Sequence, residues 1–317
     1  AFRSDFDALP VEETLDVPWK SRRENVMHAC GHDGHTAALL GAARLLQSAG
    51  ERLHGTVYLC FQQGEEVGRG AEECVEYLRQ RGGVDMVIGA HLFPAFETGT
   101  IDVDPGLRAK GAGFFHIDIT GKGGHGSRPD LVPNVLTMAC DIYQHLISIP
   151  CNRFDAARGC VIVPCAIRAG ERWNILPERA WLEGTIRFSS VEDGVMLMDL
   201  IRSTAEGIAA VHGGKASLDS RFAAYPIIND TNASTLGQTA ATICGLRPLH
   251  MPPAAISDNF AEFLKAFPGC FCFIGSRSAR TGSSSVHHAA NFDFDEAALA
   301  HMSRFFSACA EQLLLKS

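Results

Sequence analysis

Residues 24–40 read ENVMHACGHDGHTAALL, which crowds His28, Cys30, His32 and His35 ahead of an apolar run of helical spacing. Thiolate and imidazole bind zinc and other first-row divalent ions, but a pair of donors makes no site. A closed structural site takes about four ligands and a catalytic one about three plus water. In an extended segment residues i and i+2 face the same way, so Cys30 and His32 are expected to converge on one point just before the helix begins. The missing donors stand in other segments. FQQGEEVGRGA sets Glu65 and Glu66 after an apolar strand and ahead of a glycine-rich turn, and VIGAHLFP sets His91 at the expected end of the next strand. Adjacent carboxylates are unfavourable unless a cation or a proton neutralises one, so the doublet suggests that one glutamate binds metal while its neighbour handles protons. Near the carboxyl end, HHAANFDFDE adds His287 and His288, and RSDFDALP places Asp5 and Asp7 where a first strand would finish.

Taken singly, these residues have plainer readings. Lone histidines such as His28, His35, His116 and His301 suit the surface or a hydrogen-bonded core. Alternating Cys270 and Cys272 suit strand packing. A double glutamate alone suits a solvated helix start. The chemistry rests on the segments meeting at one sheet edge, since ligands in open α/β sheets gather outside the carboxyl ends of strands.

The elements that would position them follow from periodicity. HTAALLGAARLLQSAG predicts a helix with Leu39, Leu40, Ala43 and Leu46 on its buried stripe, stopping at Gly50. GTVYLCFQQ, AEECVEYLRQRGG and VDMVIGAHL then alternate strand, helix and strand, which predicts an α/β fold with a mixed sheet covered by helices. From residue 110 the order becomes strand, helix, strand, strand, helix, strand, the ferredoxin-like βαββαβ unit, after which helices, the strand CFCFIG and a long closing helix return. An inserted domain over 109–221 is therefore expected, between catalytic segments 1–108 and 222–317.

The chain has 317 residues, enough for more than one core, and a formal net charge of −8 with scattered basic residues, which excludes a phosphate-backbone footprint. No apolar stretch approaches the ~20 residues of a membrane helix. Eleven cysteines at irregular spacing, several inside apolar runs, suggest a reducing cytoplasm.

MHACGHDGHTAALLGAA, GEEVGRGA, AHLFP, GKGGHGSRPD, WNILPERAWLEGTIR and HHAANFDFDEAAL together resemble the amidohydrolase branch of the aminoacylase and carboxypeptidase G family. The resemblance covers nearly the whole chain. It implies two divalent ions (Zn, Mn, Co or Ni) held by Cys30, His32, Glu66, His91 and a carboxyl-terminal histidine. Counting back from Phe292 gives His288, with His287 as the rival. It also implies Glu65 as general base, Asp5 and Asp7 as supports of the ligands, and a ferredoxin-like lid through which subunits form a homodimer. In that lid His125 and Asn174 would serve the partner's active site, and Arg187 would grip the substrate carboxylate. The implied reaction is hydrolysis of N-acyl amino acids or small peptide-like amides; nucleic acid and membrane are not expected partners.

Some positions depart from the family pattern. QQGEE replaces the usual proline and alanine before the glutamates, SDNF stands where relatives carry Ser, Glu, Asp, Phe, and HHAANF lacks the common proline. Relatives also carry a helical segment and a strand before the Asp5 position, so the amino end is expected to have been cut. The competing expectations are a truncated, non-catalytic metal-binding homologue and a cysteine hydrolase using Cys30 with His32 or His125.

Overall fold

The computed structural model describes residues 1–254, 256–277 and 286–315. In chain order the first segment contributes β1 (Phe2–Asp5), α1 (His32–Ala49), β2 (Leu59–Gln62), α2 (Ala71–Gln80), β3 (Val87–Glu97), β4 (Thr100–Asp102) and β5 (Gly106–Ala109). There follow β6 (Gly111–Thr120), β7 (Gly124–His125), α3 (Val135–Arg153), β8 (Val161–Ala169), β9 (Ile175–Leu176), β10 (Arg179–Phe188), α4 (Val191–Val211) and β11 (Lys215–Ala224). The last segment adds β12 (Ile227–Asn229), α5 (Thr231–Ile243), β13 (Arg247–Pro248), α6 (Ala261–Ala266), β14 (Gly269–Arg277) and α7 (Ala297–Leu314).

Two compact units result, one of residues 1–108, 227–254 and 258–317, the other of 109–226 with 255–257. The division expected after 221 moves to 226, because β11 stays hydrogen-bonded to β6 through Ala224.

In the first unit six strands lie in the order β13-β4-β14-β3-β1-β2. Pairs β1/β2, β1/β3 and β3/β14 are parallel and β14/β4 is antiparallel, so the sheet is mixed. The Cys270, Cys272 and Ile274 side chains of β14 are fully buried and pack with Leu39, Ala42, Met302, Phe305 and Phe306 from α1 and α7. Continuous apolar runs are what a sheet covered by helices demands. The buried stripe of α1 is His35, Ala38, Leu39, Ala42, Leu46 and Ala49, whereas Leu40 is exposed. The expected stripe was therefore rotated: small alanines, not Leu40, face the sheet and let α1 approach closely.

The second unit is a four-stranded antiparallel sheet ordered β11-β6-β10-β8. Phe115, Ile117, Leu182 and Ile186 from this sheet pack against Met138, Ile142, Leu197 and Ile201 of α3 and α4. Strict alternation along β6 (buried Phe115, Ile117 and Ile119, with less buried residues between) marks a sheet with one covered face. Among the described residues no helix is long and apolar enough to cross a membrane.

Phe306 ties α7 to the first strand, with its ring centroid 5.1 Å from that of Phe2 and only 1% of the residue exposed. Phe306→Ala is expected to destabilise the first unit by about 3–5 kcal/mol. Urea unfolding monitored by circular dichroism would show it, and an unchanged midpoint would mean that α7 does not hold the sheet.

Candidate metal centre

The donor-rich segment is not extended. Gly31 adopts φ 84°, ψ 17°, and α1 begins at His32, so Cys30 sits in a turn and His32 in the first helical turn. The left-handed residue, easy only for glycine, swings Cys30 and His32 toward one point. Cys30 and His32 do converge, but through a turn and a helix start rather than through the alternation of an extended strand. His91 likewise lies inside β3, not at its end. It still opens onto the site because β1 pairs with β3 only at Phe2↔Ile88 and Arg3↔Gly89, leaving β3 without that neighbour further on.

Main chain and carboxylates fix the rings. His91 Nδ1–H donates to the Leu92 carbonyl (2.7 Å), which leaves Nε2 bare and 3.5 Å from Cys30 Sγ. His287 Nε2–H donates to the same carbonyl (3.0 Å), while the Leu92 N–H donates to His35 Nε2 (3.0 Å). His35 spends its other nitrogen on Asp5 Oδ1 at 2.6 Å, so it has no lone pair to offer. His32 Nδ1 meets Asp7 Oδ1 at 3.0 Å, and its Nε2 lies 3.7 Å from Asp5 Oδ2 and 3.9 Å from Glu66 Oε1. A carboxylate behind a histidine is the usual support of a metal ligand.

The carboxyl-terminal doublet divides. His288 takes a left-handed backbone (φ 68°), anchors its N–H on the Ala29 carbonyl and brings Nε2 to 3.2 Å from Glu66 Oε1. His287 stacks on Phe292 (centroids 5.2 Å apart) with its Nε2 already engaged. A left-handed non-glycine residue costs energy that a functional placement commonly justifies.

Ligand atoms of Cys30, His32 and His91 all lie within 4.8 Å of one another, as do those of Cys30, Glu66 and His288. His32 Nε2 and Glu66 Oε1 are buried without a well-directed hydrogen bond, Glu66 Oε1 having only its 3.2 Å approach to His288 Nε2. Unpaired buried polar atoms are costly, and two of them aimed into a cluster of sulfur, nitrogen and oxygen donors fit a site for divalent ions. Glu65, in the same cluster with His32 and Glu66, receives the Asn259 N–H at 3.2 Å.

Electrostatics follow from burial. The Glu65 carboxyl is pushed up to about 8 by burial and by the facing Asp258 carboxylate, against the opposing pull of Arg3. Burial lowers His32, yet its bond to Asp7 and the field of Asp5 raise it to about 9. Burial beside His35 holds His91 well below the usual range and therefore neutral. Burial and the nearby Glu66 raise the Cys30 thiol, which opposes the thiolate that a nucleophilic cysteine needs. The ring nitrogen within hydrogen-bond reach of Cys30 Sγ is His91 Nε2, at 3.5 Å.

In the second unit His125 and Asn174 lie at one tip, where β7 pairs with β9 and the Gly126 N–H donates to the Asn174 carbonyl at 2.9 Å. His125 Nδ1 meets Ser127 Oγ at 2.8 Å. Arg187 is elsewhere, near the far end of β10, with a guanidinium N–H on the Ile186 carbonyl. Arg179 to Arg187 along that strand spans roughly 27 Å at about 3.4 Å per residue.

One buried residue escaped the sequence reading. Arg3, 2% exposed, binds Asp5 Oδ2 at 2.8 Å, Asp258 Oδ1 at 3.2 Å and Gln62 Oε1 at 2.8 Å. The available signal was a cation within an apolar strand, which must find buried anions.

A mixed α/β sheet that gathers thiol, imidazole and carboxylate donors around a protonatable glutamate defines a metallohydrolase. The chain belongs to peptidase family M20/M25/M40, whose description matches residues 1–312. It is 33% identical over 314 residues to N-acetyl-L-cysteine deacetylase of Bacillus subtilis, covering 99% of this chain and 74% of the relative. It is 30% identical over 325 residues to IAA-amino acid hydrolase ILR1-like 4 of Arabidopsis thaliana, covering 100% and 73%. Among solved structures, the YXEP protein of Bacillus subtilis, a dinuclear metal binding peptidase of the M20 family, superposes with a TM-score of 0.84 at 30% identity, over 99% of this chain and 80% of that one.

Ligands must shed their protons to bind a cation. Cys30, His32 and the neighbouring Glu65 each carry one at pH 7 in the metal-free protein, so loading with zinc is expected to release about two to three protons and to strengthen as pH rises from 6 to 8. Calorimetry in buffers of different ionisation enthalpy measures this; a heat independent of buffer would contradict the protonation states given.

Proposed function

We propose that the enzyme hydrolyses the amide bond of N-acyl amino acids or small peptide-like molecules bearing a free carboxylate, using two divalent ions and Glu65. The observation that carries this reading is the shared thiol: among the described residues Cys30 belongs to two donor triads, one with His32 and His91 and one with Glu66 and His288, so one sulfur could serve two ions at once. Cys30, His32 and His91 would hold one ion, and Cys30, Glu66 and His288 the other. One thiolate with imidazoles and a carboxylate accommodates Zn, Mn, Co or Ni, and zinc or manganese suits it well. Ions held there would supply Lewis acidity, lowering the pKa of water toward ~7 and polarising the scissile carbonyl.

The chain's own groups do the rest. Asn259 N–H engages one oxygen of Glu65, leaving the other to take the proton of the attacking water and return it to the leaving amine. His125 and Asn174 would donate to the developing oxyanion, and Arg187 would hold the substrate carboxylate in a charge-assisted fork. His125 and Asn174, beside the β7/β9 pair, and Arg187, near the far end of β10, are placed to serve two different sites of a homodimer. The second unit, ferredoxin-like in its strand order, would then be the lid and dimerisation domain. Its edge strand β8 exposes Val161, Val163 and Ile167, which supports pairing with a second copy. The segments on either side of it form the catalytic domain. All eleven cysteines are free thiols, which suits a cytoplasmic protein.

Glu65→Gln is expected to keep its metals and lose turnover of an N-acetyl-amino-acid panel by about 10²-fold or more. Elemental analysis beside the assay decides it, since loss of metal in proportion to activity would make Glu65 a ligand. Arg187→Ala is expected to weaken the preference for carboxylate-bearing substrates over their amidated counterparts; unchanged discrimination would remove Arg187 from the substrate site.

A further inference from the structure

We infer that Asn259 is a positioning residue for Glu65, its carboxamide closing the neck of the loop that carries the paired glutamates while its main-chain N–H holds the base. This rests on the reading of Glu65 as general base. The loop leaves β2 at Gln62 and returns at Arg69, just before α2. Asn259 Oδ1 accepts from Gln62 Nε2 (2.7 Å) on the outgoing side and from Arg3 Nη2 (3.0 Å) beneath it. Asn259 Nδ2 donates to the Arg69 carbonyl (3.0 Å) on the returning side, where Gln62 Nε2 also donates (2.9 Å). The same residue's N–H reaches Glu65 Oε1 at 3.2 Å.

In this chain an amide, where relatives carry an aspartate, makes all three contacts. A carboxylate at 259 could accept from Gln62 and Arg3 but could not donate to Arg69, and an aliphatic side chain could do neither. Removing the carboxamide leaves the N–H to Glu65 in place but frees both the peptide that bears it and the loop that bears Glu65. The distance between them is then no longer set. A misplacement of about 1 Å is enough to cost up to 10²-fold in rate. Neither Gln62 nor Asn259 touches a proposed ligand atom, and Glu66 keeps its separate anchor, its N–H donating to Asp7 Oδ2 at 3.0 Å, so metal binding and substrate affinity are expected to stay largely unaffected.

The test compares Asn259→Ala, Asn259→Asp and Glu65→Gln with the parent enzyme in full metal-loaded form, with hydrogen exchange of residues 63–70 followed in loaded and metal-free protein. For Asn259→Ala we expect kcat to fall about tenfold or more, KM and metal content to stay within about twofold, and exchange to rise in 63–70 alone. Asn259→Asp, which keeps the acceptor contacts and loses the donor, should fall between parent and alanine variant. Parental kcat in Asn259→Ala together with an inactive Glu65→Gln would overturn the positioning role and leave the base in place. Full turnover by Glu65→Gln would overturn the base and this inference with it. Unchanged exchange in 63–70, or metal loss that accounts for the lost rate, would also overturn the clamp.

Discussion

The structure is organised around a concentration of negative charge where water is scarce. Asp5, Asp7, Glu65, Glu66 and Asp258 converge behind β1, β2 and β3, and among the described residues Arg3 is the buried guanidinium set among them. Two like charges 4 Å apart at an effective dielectric near 20 repel by about 4 kcal/mol. Arg3 offsets this for Asp5 and Asp258, and its own ionisation is raised by those partners against the cost of burial. The glutamates and the histidine cluster are left to balance themselves. Without cations, protons fill that role: Glu65 retains one and His32 gains one. A pair of divalent ions would satisfy the same demand more completely, because it could also engage His32 Nε2 and Glu66 Oε1, which are buried without a well-directed hydrogen bond.

That demand explains why the scaffold is a sheet with parallel central strands. Parallel pairing aligns the carboxyl ends of β1, β2 and β3, so donors far apart in the chain arrive on one edge without long loops. The covering helices then exclude water from beneath the site, with α1 supplying both His32 from its first turn and Leu39 and Ala42 to the core.

Much of this was legible from residue types. Cys30, His32, Glu65, Glu66, His91 and His288 announce themselves because thiols, imidazoles and paired carboxylates are poor choices beside apolar strands unless they bind something. The succession of strands and helices was legible for the same reason, since alternation in β6 and helical spacing in α3 and α4 are dictated by burial. What sequence could not supply was local backbone sign and distant pairing. The left-handed Gly31 replaces an expected extended segment, and the partner of Arg3 lies 255 residues away at Asp258. The spread of His125 and Asn174 from Arg187 is set by strand register, which no motif encodes.

Leu92 illustrates how such a centre survives change. Its single peptide group orients three rings: the carbonyl accepts from His91 and His287, and the N–H donates to His35. Every amino acid except proline offers that same peptide group, so the tautomers of these histidines are insulated from genetic drift at position 92. A substitution there acts through the packing of a fully buried side chain, while the ring nitrogens keep their assignments.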